Sequence, residues 1–128
     1  MIKAKHLGNL KMKASVRDFE IISDIVQEDG GDGSAPEPAD LMCSALALCA
    51  GTYFALYCKK RDVDPGDFEV ILDYEWGKAP KKVEKFTVNF KFPEGFPEKY
   101  KKAATKFVTA CSVGNTFKNG AKVEYNFS

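Results

Sequence analysis

Cys49 and Cys111 are the side chains whose type and setting could carry chemistry. Cys49 lies inside the apolar run Leu41-Met42-Cys43-Ser44-Ala45-Leu46-Ala47-Leu48-Cys49-Ala50-Gly51-Thr52, and Cys111 closes an amphipathic stretch that begins at Tyr100. A thiolate is a strong nucleophile, and a second thiol brought beside it by the fold can close a disulfide over an oxidised sulfur. Sequence distance alone does not bring them together. A free cysteine most often acts as a small buried hydrophobe, and Cys43 and Cys58 fit that description. At about 100° per residue Cys58 falls on the helix face opposite Cys49, and Cys43 lies well off it. At most one of the three helix thiols can therefore belong with Cys111. Burial raises the pKa of a mid-helix thiol, so Cys49 needs a cation to react. With one histidine in the chain, His6, that cation is expected to be an arginine or a lysine. Ser112-Val113-Gly114-Asn115 can break the helix at Cys111 and start another, and is expected to expose that sulfur.

The elements that must position these thiols follow from periodicity. Leu10, Met12, Ala14 and Val16 alternate with Lys11, Lys13 and Ser15, and Phe19 and Ile21 alternate with Glu20 and Ile22. With turns at Gly8-Asn9 and Arg17-Asp18, residues 2–28 predict a three-stranded meander. Residues 29–38 form a Gly/Pro-rich loop without a phosphate-binding ending. A helix is predicted from Pro38 to Arg61, with Pro38 and Asp40 in its first turn and Lys59, Lys60 and Arg61 in its last. Phe68, Val70, Leu72, Tyr74 and Trp76 share one strand face. Phe86, Val88, Phe90 and Phe92 share another, and residues 77–82 join the two strands as a hairpin. Tyr100, Ala104, Phe107, Val108 and Cys111 recur at helical spacing. A final strand is expected from Ala121, Val123, Tyr125 and Phe127, alternating with Lys122, Glu124 and Asn126.

The 128 residues point to a single domain over 1–128. A balance of 19 basic against 18 acidic side chains argues against nucleic acid or an anionic membrane as partner. No apolar segment follows the N-terminal charges, and four cysteines without a signal peptide suggest a reducing, cytoplasmic setting. No Cys-x-x-Cys pair is present, so neither a zinc site nor a cofactor is expected. Leu41 to Cys58 carries no charge over about 27 Å of helix, which approaches membrane-spanning length. Ser44, Gly51, Thr52, Tyr53 and Tyr57 dilute it. The preferred reading is a buried core helix that one small chain can hardly surround, so that a partner subunit helps to cover it.

Gly33-Ser34-Ala35-Pro36-Glu37-Pro38-Ala39-Asp40-Leu41, continuing through Ala45-Leu46-Ala47-Leu48-Cys49, resembles the first motif of the OsmC/Ohr family of osmotically inducible and organic hydroperoxide resistance proteins. Cys111-Ser112-Val113 with Thr116 resembles its second, usually Cys-Pro-Val-His. The element order matches along nearly the whole chain. The resemblance implies an α+β fold in an intertwined homodimer, with two long central helices wrapped by sheets from both subunits. It also implies a thiol peroxidase in which Cys49 attacks an organic hydroperoxide, Cys111 resolves the product, and an unidentified dithiol reductant recycles the disulfide. The family peroxidases carry an arginine in the N-terminal hairpin. Here the first turn holds Lys5, His6, Gly8 and Asn9, and Arg17 at the second turn is the candidate. Asp40 stands one residue later than the family's acidic position, and Ser112 and Gly114 replace its usual proline and histidine. Two other functions fit the same pattern: a different thiol-redox role, and non-enzymatic binding of an apolar ligand between subunits by Tyr53, Phe54 and Phe117.

Overall fold

Alternation at period two builds the first of two sheets. In the computed structural model, which describes residues 1–128, β1 (Ile2–Gly8), β2 (Lys11–Val16) and β3 (Phe19–Ser23) pair antiparallel in that order. Asn9 (φ 44°) and Arg17 (φ 52°) take left-handed conformations at the two turns. Lys13 and Glu20 bond across β2 and β3 at 2.9 Å. Ile2, Phe19 and Ile21 remain exposed at 68%, 61% and 42%. The chain divides into two compact units, Met1–Met42 and Cys43–Ser128, and this sheet belongs to the first.

The loop after β3 is tied down by one carboxylate. Asp24 is buried. It accepts hydrogen bonds from the Ser34 hydroxyl at 2.6 Å, the Ser34 N–H at 3.0 Å and the Ile25 N–H at 2.8 Å, while its own N–H donates to the Pro36 carbonyl at 3.0 Å. The Ser34 side-chain and backbone donors, then Ile25 N–H, hold its carboxyl well below the usual carboxylate range, against the opposing effect of burial.

α1 spans Pro38–Arg61, the bounds expected from its end signals. In the first turn the Asp40 carboxylate accepts the Glu37 N–H at 2.9 Å, satisfying a donor at the positive end of the helix. Lys59, Lys60 and Arg61 complement the other end.

In the second unit the α1 residues Cys43, Leu46, Ala50, Phe54, Tyr57 and Cys58 are buried, at the three- and four-residue steps of one helix face. This stripe meets the hairpin of β4 (Glu69–Trp76) and β5 (Val83–Lys91), whose register pairs Val70 with Phe90, Leu72 with Val88 and Tyr74 with Phe86. Phe54 is fully buried, with ring centroids of Phe68 and Phe90 each at 4.8 Å and of Phe96 at 5.3 Å. Removing such a ring costs about 3–5 kcal/mol. Gly51 lets α1 come close, since a Cβ there would lie 3.3 Å from the Phe68 ring. On the other hairpin face Lys91 and Glu69 pair at 3.2 Å. α1 is long and apolar enough to cross a membrane by length and composition. Its buried stripe lies on an aromatic protein core, whereas Leu48 (71%) and Leu56 (40%) are exposed in the single chain.

α2 (Glu98–Thr109) and α3 (Ser112–Asn119) follow, broken at Ala110-Cys111. The mixed α+β architecture agrees with the expectation, with α3 as a separate third helix. One element differs. Residues 120–128 form no strand, and Val123, Tyr125 and Phe127 are 67%, 79% and 93% exposed. Alternation supplies a strand's faces, but a strand also requires a ladder partner for its N–H and C=O groups, and no other part of this chain pairs with the tail.

Candidate redox-active thiol site

The second unit brings Cys49 and Cys111 together. Cys49 is half-buried on the middle of α1. Cys111 is buried at the N-cap of α3, with φ −62° and ψ 142°, and its sulfur accepts the Gly114 N–H at 3.3 Å. The two thiols are within hydrogen-bonding reach of each other, and all four cysteines are in the thiol form. Gly114 leaves this point uncrowded: a Cβ there would lie 3.0 Å from the Cys111 sulfur, a tight contact. The expectation of an exposed Cys111 sulfur is corrected, because the residue is only 3% exposed. The helix break at Cys111 turns that sulfur inward as a cap instead of releasing it to solvent.

The electrostatics separate the two thiols. Burial pushes Cys49 upward, but the N–H of Val113, the Ser112 hydroxyl, the Cys111 thiol and the N–H of Ser112 together bring it below an ordinary thiol. Cys49 Sγ lies 3.8 Å from Ser112 Oγ. For Cys111, burial is the largest effect and raises the pKa. The Gly114 N–H pulls the other way, the Cys49 sulfur adds to the rise, and Lys118 opposes it. The first N–H groups of a helix have no partner within the helix and carry partial positive charge. At α3 the two sulfurs take them up: Cys49 faces those of Ser112 and Val113, and Cys111 that of Gly114. Cys49 therefore becomes the more acidic thiol, and Cys111 its protonated neighbour.

Sequence reasoning asked for a side-chain cation here. The groups that lower the Cys49 pKa are two backbone amides, one hydroxyl and the Cys111 thiol, and only the helix-start pattern after Cys111 gave any signal of the amides. Arg17 lies at the β2–β3 turn of the first unit, its guanidinium 5.6 Å over the Phe19 ring. His6 Nε2 is 2.7 Å from the Asn9 carbonyl oxygen. Asp40 serves the start of α1, as described above. Cys58 is fully buried, and burial followed by the Asp64 charge raises its pKa. Cys43 is likewise buried. Of the suggested pocket residues, Tyr53 packs on Phe107 at 5.7 Å, Phe54 is core, and Phe117 stacks on Phe86 at 4.8 Å.

The chain has counterparts among known proteins. The family model described as "OsmC-like protein" matches residues 31–126. A protein of Psychrobacter arcticus, described as an osmotic stress induced and detoxification response protein, superposes with a TM-score of 0.81 at 22% identity, covering 90% of this chain and 85% of its own. An OsmC like protein of Mycoplasma pneumoniae gives 0.74 at 17%, covering 92% and 86%. A Legionella pneumophila protein, described as an organic hydroperoxide resistance protein OsmC, gives 0.65 at 17%, covering 94% and 89%. At these identities the structures establish a shared fold. No curated protein matches the chain.

Proposed function

The chain belongs to the OsmC-like protein family, and on that footing we propose that it reduces organic hydroperoxides through Cys49 and Cys111 in defence against oxidative stress. The observation that carries this reading is the α3 N-terminus, whose amides make Cys49 the more acidic of two interacting thiols. A solved structure of the same fold is described as an organic hydroperoxide resistance protein, which supports the substrate class.

The chemistry balances with the groups named. The Cys49 thiolate attacks the outer oxygen of ROOH. The O–O bond breaks, RO⁻ leaves and takes a proton from solvent as ROH, and Cys49 becomes a sulfenic acid. The Cys111 sulfur then attacks the Cys49 sulfur, and hydroxide leaves with the Cys111 proton as water, closing a disulfide. A dithiol reductant restores both thiols by two exchange steps and leaves as its own disulfide.

The working form in this reading is a homodimer in the reducing interior of the cell. The exposed face of α1 and the alternating tail 121–127 are the surfaces a second copy would cover, since an unpaired apolar strand seeks a ladder partner. Arg17 is kept as the cationic contributor to the peroxide-binding step, and Asp40 as the acidic one. Stopped-flow oxidation of the reduced protein by cumene hydroperoxide tests the reading. Consumption of one peroxide per chain with formation of a Cys49–Cys111 disulfide is expected. A Cys43–Cys58 disulfide as the main product, or a Cys49→Ser protein that still consumes peroxide at the parent rate, would overturn it.

A further inference from the structure

The corner between α2 and α3 is closed by side chains of α3. α2 ends at Thr109, and the last carbonyls of a helix have no partner inside it. The Phe107 and Val108 carbonyls accept the N–H groups of Ala110 and Cys111, each at 3.2 Å. The next two carbonyls are met from beyond the break. Lys118 Nζ donates to the Thr109 carbonyl at 2.9 Å, and Asn115 Nδ2 donates to the Ala110 carbonyl at 3.2 Å. A cation there also complements the negative end of α2. Asn115 and Lys118 are one helical step apart and share a face of α3. Both bonds lie within one chain and need nothing from a second copy. α3 needs such an anchor, because a helix of eight residues is marginal by itself. Its first turn matters most: the N–H groups of Ser112 and Val113 act on Cys49, and the influence of a helix end falls off within that turn.

We propose that Asn115 and Lys118 are positioning residues, a two-point brace from α3 to the end of α2 that keeps the amides of Ser112 and Val113 aimed at the Cys49 sulfur. The inference rests on the reading of Cys49 as the peroxide-attacking thiol, and it names the side chains that hold the activating amides in place. Each acts on Cys49 through α3. The two differ in one respect. Lys118 also brings a charge that opposes the rise in the Cys111 thiol, whereas Asn115 is neutral and can only position. Phe117, stacked on Phe86 at 4.8 Å, ties α3 to β5 as well, but an apolar stack fixes direction less sharply than two hydrogen bonds of defined geometry.

The test is the pH profile of iodoacetamide alkylation in the reduced full-length protein, read at the Cys49 peptide by mass, with circular dichroism and thermal unfolding to confirm the fold. Asn115→Ala should raise the Cys49 midpoint by about half a pH unit, and Asn115→Ala with Lys118→Met by about one, the loss expected for weakened bonds to a charged acceptor. Alanine is the better helix former, so a rise cannot come from lost helix propensity. Lys118→Met should raise the midpoint and Lys118→Arg, which keeps a charged donor, should not. Asn119→Ala controls for a merely structural role: its side chain donates to the Asn115 carbonyl at 3.0 Å inside α3, and its loss should leave the midpoint in place. If the double variant fails to fold, Asn115→Ala and the two Lys118 variants decide. Unmoved midpoints in the brace variants, or an equal shift in Asn119→Ala, would overturn the proposal. Alkylation needs no peroxide. Midpoints that move as expected in a protein that consumes no cumene hydroperoxide overturn the peroxide reading and keep the brace, and unmoved midpoints in a protein that consumes it do the reverse.

Discussion

Cys49 and Cys58 sit nine residues apart on one helix and face opposite environments. Around Cys58 there is burial and the negative charge of Asp64, and its thiol is pushed upward. Around Cys49 burial also opposes ionisation, yet the amides and hydroxyl at the start of α3 outweigh it. Both thiols are on the same helix, with Cys49 in its middle and Cys58 in its last turn, at the negative end of the helix dipole. What lowers the Cys49 pKa is what a second element aims at the sulfur. A helix N-terminus 63 residues further along the chain does for Cys49 what a neighbouring cation is usually asked to do.

The strongest way to break this contrast is to remove each sulfur. Cys49→Ser should reduce peroxide consumption to background, whereas Cys58→Ala should leave the rate within about twofold and cost roughly 1 kcal/mol of stability through the small void it leaves. A loss of activity in Cys58→Ala at unchanged fold would erase the distinction. Next in size is Ser112→Pro, which removes the hydroxyl and the N–H together, while proline is tolerated at the first helical position. Losing a bond to a charged acceptor is worth about 1.5 kcal/mol, so alkylation of Cys49 at neutral pH should slow by roughly tenfold. An unchanged rate would move the source of the low pKa away from α3.

A smaller effect is expected of Arg17→Ala. Stopped-flow traces should show the first oxidation slowed a few-fold with the disulfide still formed, consistent with a screened charge contribution. Traces identical to the parent would leave Cys49 in place and remove Arg17 from the site. The smallest effect concerns pH. The folded pKa of Cys49 is lowered, so its ionisation contributes stability above the unfolded value, and that contribution is lost as pH falls through the folded value. Iodoacetamide labelling followed against pH should therefore give Cys49 a midpoint below that of a free thiol and Cys58 one above it. Coincident midpoints would contradict the contrast.

Much of this was legible in the chain before the fold was described. The bounds of α1, the faces of the two hairpin strands and both turns of the first sheet follow from period, proline, glycine and charge placement, which are local signals. The partnership of Cys49 with Cys111 came from the order of motifs. What could not be read was the agent that acidifies Cys49. Backbone amides carry no residue identity, so a search among His6, Lys5 and Arg17 could not find them. The burial of Cys111 was missed for a related reason: a cysteine at a helix break can turn outward or fold back as a cap, and the sequence is the same in both cases. The tail 121–127 shows the opposite limit. Its alternation is clear, but pairing is a property of two strands, and no strand of this chain pairs with it.

The loop clamped by Asp24 has a consequence for proteases. Gly30, Gly31 and Gly33 make a segment of the kind most readily nicked, because cleavage requires several residues to unfold into the enzyme's groove. Here both flanks are held by the same buried carboxylate, at Ile25 and at Ser34. Its depressed pKa means that the clamp contributes above the unfolded carboxylate value of about 3.9 and is lost only as pH falls through the much lower folded value. Limited digestion should therefore spare residues 29–34 of the intact protein down to moderately acidic pH, and should cut there first when Asp24 is replaced by alanine.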